Sequence, residues 1–175
     1  MNKRIIPTYY AKSLFDVDFS FFKNHNIRYI LSDLDNTLDS YKQKEPSERV
    51  VEFKKKCESN NIELIIISNN KGPRVKRYSD ILNVRYGSKM FKPFTKNLKN
   101  YLNENSIFPD ECIFVGDQLM TDIKCGNGLG IITLLTDPIV KEDQWQTKFN
   151  RFFDRPVRHK LKKYGLLKLW EENNG

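Results

Sequence analysis

Two aspartates lie directly after a short apolar run, and this arrangement constrains the chain more than any other feature of its sequence. Residues 27–32 predict a buried strand, and Asp33 and Asp35 follow it. Side chains alternate in direction along extended backbone, so both carboxylates project to the same side. Like charges this close repel each other, and such pairs usually persist where a cation or a shared proton holds them. A lone D-x-D pair is more often a solvated acidic turn, so the interpretation depends on the rest of the chain.

Apolar runs alternate with amphipathic segments along the chain, a pattern typical of a parallel sheet flanked by helices. Residues 62–67 and 112–115 are almost continuously apolar, as expected for strands that are covered on both faces. Ser47 is a candidate N-cap of the first long helix, and Pro93 suits the first turn of the third. The sequence predicts strands at 28–33, 62–67, 84–86, 112–116 and 131–135, and helices at 47–59, 73–82, 94–104 and 119–125.

Three further polar motifs follow predicted strands in the same way as the aspartates. Catalytic residues of open α/β sheets gather at the carboxyl ends of the strands, so we expect these motifs to meet at one edge. Each motif alone has an ordinary explanation, since a lysine before proline or a Ser-Asn-Asn run is usually a turn. Their occurrence together and in order favours a catalytic site. The motifs are Ser68-Asn69-Asn70, Lys92-Pro93, and Gly116-Asp117-Gln118 with Asp122.

The four motifs in this order resemble those of the haloacid dehalogenase (HAD) superfamily of aspartate-nucleophile phosphatases. A closer resemblance is to the subfamily IIIA, YqeG-type bacterial phosphatases, which are similar to the mitochondrial-type phosphatidylglycerophosphate phosphatases. It is carried by residues 33–38, 68–70, 115–119 with Thr121 and Asp122, and 137–140. The resemblance implies an α/β fold, namely a HAD-like Rossmannoid three-layer sandwich around a parallel central sheet.

The spacing of the motifs also bears on domain organisation. Many relatives carry a cap domain between the first and second motifs or between the third and fourth. Here 34 positions separate Asp33 from Ser68, and 24 separate Lys92 from Asp117. Neither interval has room for more than a helix and its loops. We therefore expect a single capless domain over residues 1–175, with a basic C-terminal segment at 141–175, and an open site.

The resemblance implies a role for each motif residue. Asp33 would be the nucleophile that forms an aspartyl phosphate, and Asp35 the general acid and base. Mg²⁺ would be held by Asp33, by Asp117 and by the backbone carbonyl of Asp35. The remaining assignments are Ser68, Asn69 and Lys92 to phosphate binding, and Thr37, Gln118 and Asp122 to support of the site, Asp122 through the metal shell or Lys92.

Basic residues are concentrated near the C-terminus. The chain has 30 lysines and arginines against 22 acids, and residues 148–168 hold eight of those bases and one acid. This excess favours an anionic partner, either phospholipid at a membrane surface or nucleic acid. Val157, Leu161 and Tyr164 form an apolar stripe that could lie in a lipid interface or pack on the domain.

Two smaller groups of residues lie outside the motifs. Asn150 and Arg151 belong to a YqeG-like stretch and are candidates to reach toward the site. A second basic cluster follows the second motif, and helical phase lets only some of its members line the crevice, with at least two more simply solvated. Its members are Lys71, Arg74, Lys76 and Arg77.

The three cysteines and two histidines have no spacing typical of a disulfide framework, a zinc site or a catalytic triad. The cysteines fit a reducing compartment, and no segment approaches the ~20 apolar residues that span a bilayer. The expected location is cytoplasmic, with peripheral attachment to the inner face of the membrane as an alternative. His25 and His159 are expected to be structural.

Three functional hypotheses follow. The first is a Mg²⁺-dependent phosphomonoester hydrolase, with phosphatidylglycerophosphate as the first candidate substrate. The second is a phosphatase of soluble phosphates or nucleic-acid ends. The third is a HAD scaffold that binds RNA, a ribosome or another protein with little catalysis. The set Asp33, Asp35, Lys92 and Asp117 argues against the third, because binding alone places no demand on that combination.

Overall fold

A six-stranded sheet, parallel throughout, forms the centre of the protein. The computed structural model describes residues 3–70, 72–140 and 145–173, with only the backbone of 145–153 and 173. The strand order is β1-β6-β5-β2-β3-β4. The strands are β1 (Tyr9–Tyr10), β2 (Tyr29–Ser32), β3 (Glu63–Ile67), β4 (Tyr86–Gly87), β5 (Cys112–Gly116) and β6 (Ile132–Leu135).

Helices connect the strands and cover the sheet. A π-helical turn, Leu119–Ile123, leads into the fifth helix, and short 3-10 turns lie at Lys3–Ile5, Leu14–Asp16, Pro109–Glu111 and Trp170–Asn173. The helices are α1 (Phe19–Asn24), α2 (Glu48–Ser59), α3 (Pro73–Leu82), α4 (Lys96–Glu104), α5 (Lys124–Gly128) and α6 (Trp145–Lys163).

Alternate residues of the central strands enter two hydrophobic cores on opposite faces of the sheet. Ile30 of β2 packs with Phe22 of α1 and Val50 of α2, whereas its neighbour Leu31 packs with Leu98 of α4. Because both faces are covered, most positions of the central strands are apolar, and this explains the nearly continuous apolar runs. The predicted α/β class, with helices on both sides of a parallel sheet, is confirmed.

One predicted helix start is wrong, and one predicted N-cap residue lacks the expected side-chain bond. Pro93 does not begin the third long helix, because α4 starts only at Lys96. Ser47 stands at the N-cap position of α2, but its hydroxyl makes no capping bond. Its backbone amide donates instead to Asp39 Oδ2 at 2.9 Å, which ties the start of α2 to the loop after β2.

The short elements show most clearly where the sequence pattern failed. The strand predicted at 84–86 is displaced to Tyr86–Gly87, and β1 was missed. Both strands have only two residues and lie at the two edges of the sheet. A two-residue strand is too short to show the period of two that identifies strands. α1 was also missed, although Asp18 caps it through the Ser20 amide at 2.7 Å.

The C-terminal helix packs on the domain through the predicted apolar stripe. Leu161 is fully buried in a third core, which it shares with Leu119 and Leu135, and Val157 packs at its margin. Tyr164 does not pack with the other residues of the predicted stripe. It lies just beyond the end of α6, and 66% of its surface is exposed. Among the described residues, no helix is long and apolar enough to cross a membrane.

The cysteines and His25 are structural, as predicted. Cys57, Cys112 and Cys125 are buried free thiols. His25 Nδ1 donates to the Phe21 carbonyl at 2.8 Å, and His25 Nε2 shares a hydrogen bond with the Tyr9 hydroxyl at 2.9 Å. These contacts lie in the first core and away from the aspartates.

Truncating Leu161 tests how α6 is held. We expect Leu161→Ala to lower the free energy of unfolding by about 2–5 kcal/mol, because the vacated volume is enclosed by Leu119, Ile123 and Leu135. The measurement is the urea midpoint at unchanged m-value. Tyr164→Ala is the matched control and should change stability by less than about 0.5 kcal/mol. Equal losses in the two variants would show that α6 does not dock through Leu161.

Candidate active site

The predicted motifs meet at the carboxyl edge of the sheet. β2 lies between β3 and β5, with Ser32 in register with Ile66 and Val115. Asp33 directly follows β2, Ser68 directly follows β3 and Asp117 directly follows β5. Lys92 comes from the turn that follows β4, the neighbour of β3. Parallel pairing therefore brings together residues that are far apart in the chain.

Lys92 makes the central contacts of this edge. Its Nζ atom donates to Asp33 Oδ1 at 2.7 Å, to Asp122 Oδ1 at 2.7 Å and to the Ile67 carbonyl at 2.9 Å. The ammonium group is almost completely buried. Burial lowers the pKa of Lys92, but Asp122 and Asp33 raise it by more, so its pKa lies above the ordinary lysine value. The group stays charged at any physiological pH.

Asn69 fixes the backbone of Lys92. The Lys92 amide donates to Asn69 Oδ1 at 2.7 Å, and Asn69 Nδ2 donates back to the Lys92 carbonyl at 3.0 Å. Ser68 is held nearby, because its Oγ accepts from the Asn70 amide at 3.1 Å and its carbonyl accepts from the Met90 amide. The second and third motifs are thus one connected unit.

Three buried carboxylates form a group that fits a metal ion. Asp33, Asp117 and Asp122 each offer an oxygen, and these oxygens lie within 4.8 Å of one another. Thr37 Oγ1 donates to Asp117 Oδ1 at 3.4 Å, and the Gln118 amide donates to Asp122 Oδ2 at 3.1 Å. Hard divalent cations prefer such oxygen ligands. The residues present are therefore suited to Mg²⁺.

The position of Asp122 depends on a glycine. A Cβ atom at Gly116 would lie 2.3 Å from the Asp122 Cβ and 2.5 Å from its Oδ2, so only glycine permits this approach. The pKa of Asp122 is raised to about 6, because the effects of burial and of the Asp33 charge exceed the lowering effect of Lys92. Asp122 was predicted to support the metal or Lys92, and its carboxylate contacts Lys92.

Asp35 is held by two residues that the sequence analysis did not connect with it. Arg74 Nη1 donates to Asp35 Oδ1, and Asn70 Nδ2 donates to Asp35 Oδ2 at 2.6 Å. Burial and the charge of Asp33 raise the pKa of Asp35 above its ordinary value, against the opposing effect of Arg74. The sequence signal for these contacts was the position of both partners, since Asn70 ends the second motif and Arg74 lies four residues beyond it.

Two members of the basic cluster after the second motif, Lys76 and Arg77, face solvent. Lys76 pairs with Asp80 and Arg77 pairs with Glu45, both with exposed partners. These two are the solvated members that the sequence predicted. Lys71 lies outside the described residues.

The loop after β2 is braced by Asp39. Asp39 is buried, and its Oδ2 accepts from the Tyr78 hydroxyl at 2.5 Å and from the Ser47 amide. Burial and this bond raise the pKa of Tyr78. Asp39 therefore fixes the loop that carries Asp33 and Asp35 against α2 and α3.

The C-terminal helix reaches the fourth motif through two side chains that sequence reasoning missed. Asp154 is buried, and its carboxylate accepts from the Leu119 amide at 2.7 Å and the Met120 amide at 3.1 Å. Arg158 donates to the Asp117 carbonyl at 2.8 Å and to the Thr136 carbonyl at 3.1 Å. α6 thus clamps the start and the middle of the segment 117–122, which carries Asp117 and Asp122.

The charge pattern of α6 gave only a weak signal for this clamp. One signal was that Asp154 is the single acid among the eight bases of residues 148–168. The other was Asp137, which lies in the fourth segment of the YqeG resemblance and pairs with Arg158 at 2.8 Å. The side chains of Asn150 and Arg151, which were candidates to reach the site, lie outside the described part of the chain.

Comparison with known proteins identifies the family. A family model described as mitochondrial PGP phosphatase matches residues 1–140, and the chain belongs to that family. It is also 31% identical over 172 residues to the probable phosphatase YqeG of Bacillus subtilis (strain 168), which covers 98% of this chain and 99% of that protein. The resemblance stated from the motifs is confirmed, and the chain is a phosphatase of the HAD type.

Solved structures support the fold at low sequence identity. An uncharacterized protein from Listeria monocytogenes serotype 4b matches with a TM-score of 0.54 at 17% identity, covering 67% of this chain and 84% of that one. Such a match concerns the fold alone. The α6 clamp lies beyond the residues that the family model matches.

Removing the Lys92 charge tests the central ion pairs. We expect Lys92→Met to lower the free energy of unfolding by roughly 3–5 kcal/mol at about pH 8, because two buried carboxylates lose their counter-charge. The loss should shrink near pH 5. Burial already raises the pKa of Asp122, and without the opposing effect of Lys92 this pKa rises further in the folded state. The variant therefore gains a proton and relative stability as the pH falls.

The control for Lys92→Met is Lys96→Met, because Lys96 is an exposed lysine four positions further along the chain. The free energy of unfolding of this control should stay within about 0.5 kcal/mol of the wild-type value. Urea denaturation at the two pH values, in the absence of divalent cations, measures both. A Lys92→Met deficit that is equal at the two pH values would contradict the assignment.

The clamp predicts an effect of α6 on the site. Arg158→Met should lower stability by about 2 kcal/mol, since a charged donor to two backbone carbonyls is lost, and should lower phosphatase turnover by displacing Asp117. Arg155→Met, an exposed change on the same helix, is the control. Wild-type turnover and stability in Arg158→Met would show that the clamp has no influence on the fourth motif.

Proposed function

We propose that this chain is a Mg²⁺-dependent phosphomonoester hydrolase that acts through an aspartyl phosphate on Asp33. The observation that carries the proposal is the contact of Lys92 with both Asp33 and Asp122, beside the third buried carboxylate of Asp117. A binding scaffold has no need for a buried ammonium group directed at a carboxylate. A nucleophilic carboxylate does, because it must approach an anionic phosphate ester.

Asp33, Asp117 and the backbone carbonyl of Asp35 are the groups that would hold Mg²⁺, and Asp122 lies close enough to support it. When bound, Mg²⁺ supplies positive charge that offsets the repulsion between Asp33 and the phosphoryl group. The burial of the three carboxylates favours a divalent ion, because buried charges of one sign require compensation.

The chain's own residues provide the two halves of the reaction. An Asp33 carboxylate oxygen attacks phosphorus, the ester P–O bond breaks, and Asp35 gives its proton to the leaving oxygen. Asp35 then accepts a proton from water, whose oxygen attacks phosphorus and releases phosphate and the Asp33 carboxylate. The raised pKa of Asp35 helps it to retain a proton for the first half. Lys92 offsets charge on Asp33 and the phosphoryl group, and Ser68 and Asn69 lie beside it for phosphate binding.

We propose phosphatidylglycerophosphate as the substrate. The proposal is supported by the description of the family to which the chain belongs. It is also supported by the short connections around the site, since α2 with its loops occupies the interval between Asp33 and Ser68, and α4 with its loops most of that between Lys92 and Asp117. An uncapped site suits a phosphate that stands above a bilayer. We place the protein in the cytoplasm, at the inner face of the membrane.

The test is Mg²⁺-dependent phosphate release from phosphatidylglycerophosphate in mixed micelles and from para-nitrophenyl phosphate. Wild type should hydrolyse both and prefer the lipid strongly, whereas Asp33→Asn should lose activity by at least about 1,000-fold because it lacks the nucleophile. Asp80→Asn, an exposed carboxylate on α3, should retain wild-type turnover.

The other outcomes separate the hypotheses. Hydrolysis of the generic ester alone would keep the mechanism and direct the search to soluble or nucleic-acid phosphates. Failure on both esters by folded, Mg²⁺-binding protein would contradict the enzymatic proposal. RNA affinity that survives Asp33→Asn under those conditions would favour the binding scaffold.

A further inference from the structure

The turn that supplies Lys92 also exposes two phenylalanines. The Phe94 amide donates to the Phe91 carbonyl at 3.0 Å, which closes a four-residue turn around Lys92 and Pro93. Lys92 enters the site, whereas Phe91 is 49% exposed and Phe94 is 74% exposed. Large apolar side chains of this exposure, placed at the edge of a polar site, indicate a surface for contact.

The aromatic turn, residues 91–94, is held rigidly at the carboxyl edge. The Met90 amide donates to the Ser68 carbonyl and the Lys89 amide to the Asn70 carbonyl, so the turn is attached to the second motif. On the other side, Asn97 Nδ2 donates to the Lys89 carbonyl at 2.8 Å. The phenylalanines therefore have a fixed position relative to Asp33 and Lys92.

Along the chain, the residues on both sides of the aromatic turn carry charge of one sign. Residues 88–103 contain four lysines and no acid. Lys92 is buried in the site, and the other three, Lys89, Lys96 and Lys99, are exposed. Apolar side chains surrounded by lysines are typical of surfaces that enter the interface of an anionic bilayer. A soluble phosphate ester would need the lysines but not the phenylalanines.

In the described part of the other basic surface, residues 154–168, the large exposed apolar side chains are Tyr164 and Leu166, and both lie beyond the end of α6. The stripe of α6 is directed inward, with Leu161 buried and Val157 packed at the margin of the third core. The basic residues of α6 can therefore add attraction at a distance, but the helix does not present its stripe to a lipid interface.

We infer that the aromatic turn is the membrane-contact surface of the enzyme. Phe91 and Phe94 enter the headgroup region of an anionic bilayer, Lys89, Lys96 and Lys99 contact lipid phosphates, and the site faces the membrane. This inference rests on the lipid substrate proposed above, since it explains how the site reaches a phosphate on a bilayer. The occupant of the surface is the bilayer itself.

The experiment is co-sedimentation with vesicles of phosphatidylglycerol and phosphatidylcholine in equal parts, using the full chain. Phe91→Ser with Phe94→Ser should bind at least about tenfold more weakly than wild type. The same double variant should hydrolyse para-nitrophenyl phosphate at the wild-type rate, which shows that it is folded and that Lys92 is in place.

Phe108→Ser is the matched control. Phe108 is 64% exposed, but it precedes the turn at Pro109–Glu111 that leads into the start of β5, at the opposite edge of the sheet. It should bind vesicles as wild type does. Tyr164→Ser with Leu166→Ser tests the segment after α6 in the same way and should also leave binding unchanged.

Several results would overturn the inference. One is that the wild type does not bind vesicles. A second is that the Phe91 and Phe94 double variant binds vesicles as strongly as wild type, and a third is that only the Tyr164 and Leu166 double variant loses vesicle binding. Light scattering that shows a dimer dissolved by the Phe91 and Phe94 changes, without lipid binding, would assign the turn to self-association. If wild type binds vesicles through this turn but does not hydrolyse phosphatidylglycerophosphate, the proposed substrate fails and the membrane surface stands.

Discussion

The Lys92 ammonium group lies between the carboxylates of Asp33 and Asp122, within hydrogen-bonding distance of both. A buried lysine is stable only where opposite charge and hydrogen-bond acceptors surround it, and here the Ile67 carbonyl supplies the remaining bond. Three different strands must end at the same edge for this contact to form. The contact of Lys92 with the two carboxylates therefore depends on the parallel pairing and register of the sheet and on the turn that follows β4.

The surrounding structure fixes the carboxylates from several directions. Gly116 leaves room for Asp122, and Asp39 holds the loop of the first motif against α3. Arg158 holds the backbone of Asp117 from the C-terminal helix. Catalytic groups need this kind of support because small displacements of reacting atoms lower rates strongly. α6 is consequently part of the site and not an appendage that only carries charge.

The sequence predicted the sheet and the first contacts of the site well, because those features depend on local pattern. Continuous apolar runs identified the central strands, and the residue after each of β2, β3 and β5 proved to face the shared edge. The partners Arg74, Asp154 and Arg158 were not assigned to the site. Their contacts depend on how α3 and α6 pack against the sheet. The helical period predicts which face of a helix a side chain lies on, but it does not predict which loop that face will contact.

The same reasoning explains the misplaced local details. Pro93 fitted the first turn of a helix by its fixed backbone angle, but the helix starts three residues later because the turn is shaped by Lys92 reaching Asp33 and by its bonds to Asn69. Ser47 occupies the predicted N-cap position, although its hydroxyl makes no capping bond and its backbone amide donates to Asp39. At Pro93 a tertiary contact of the site outweighed a local preference.

The central claim is that Asp33 attacks phosphorus before water does, and the stereochemical course at phosphorus tests it most directly. Hydrolysis of a phosphorothioate ester made chiral with ¹⁶O and ¹⁸O, in water enriched in ¹⁷O, distinguishes the two routes. Attack by Asp33 followed by attack of water gives two in-line displacements, each of which inverts the configuration at phosphorus, so the released thiophosphate should show net retention. Net inversion would show a single direct attack by water and would contradict the account.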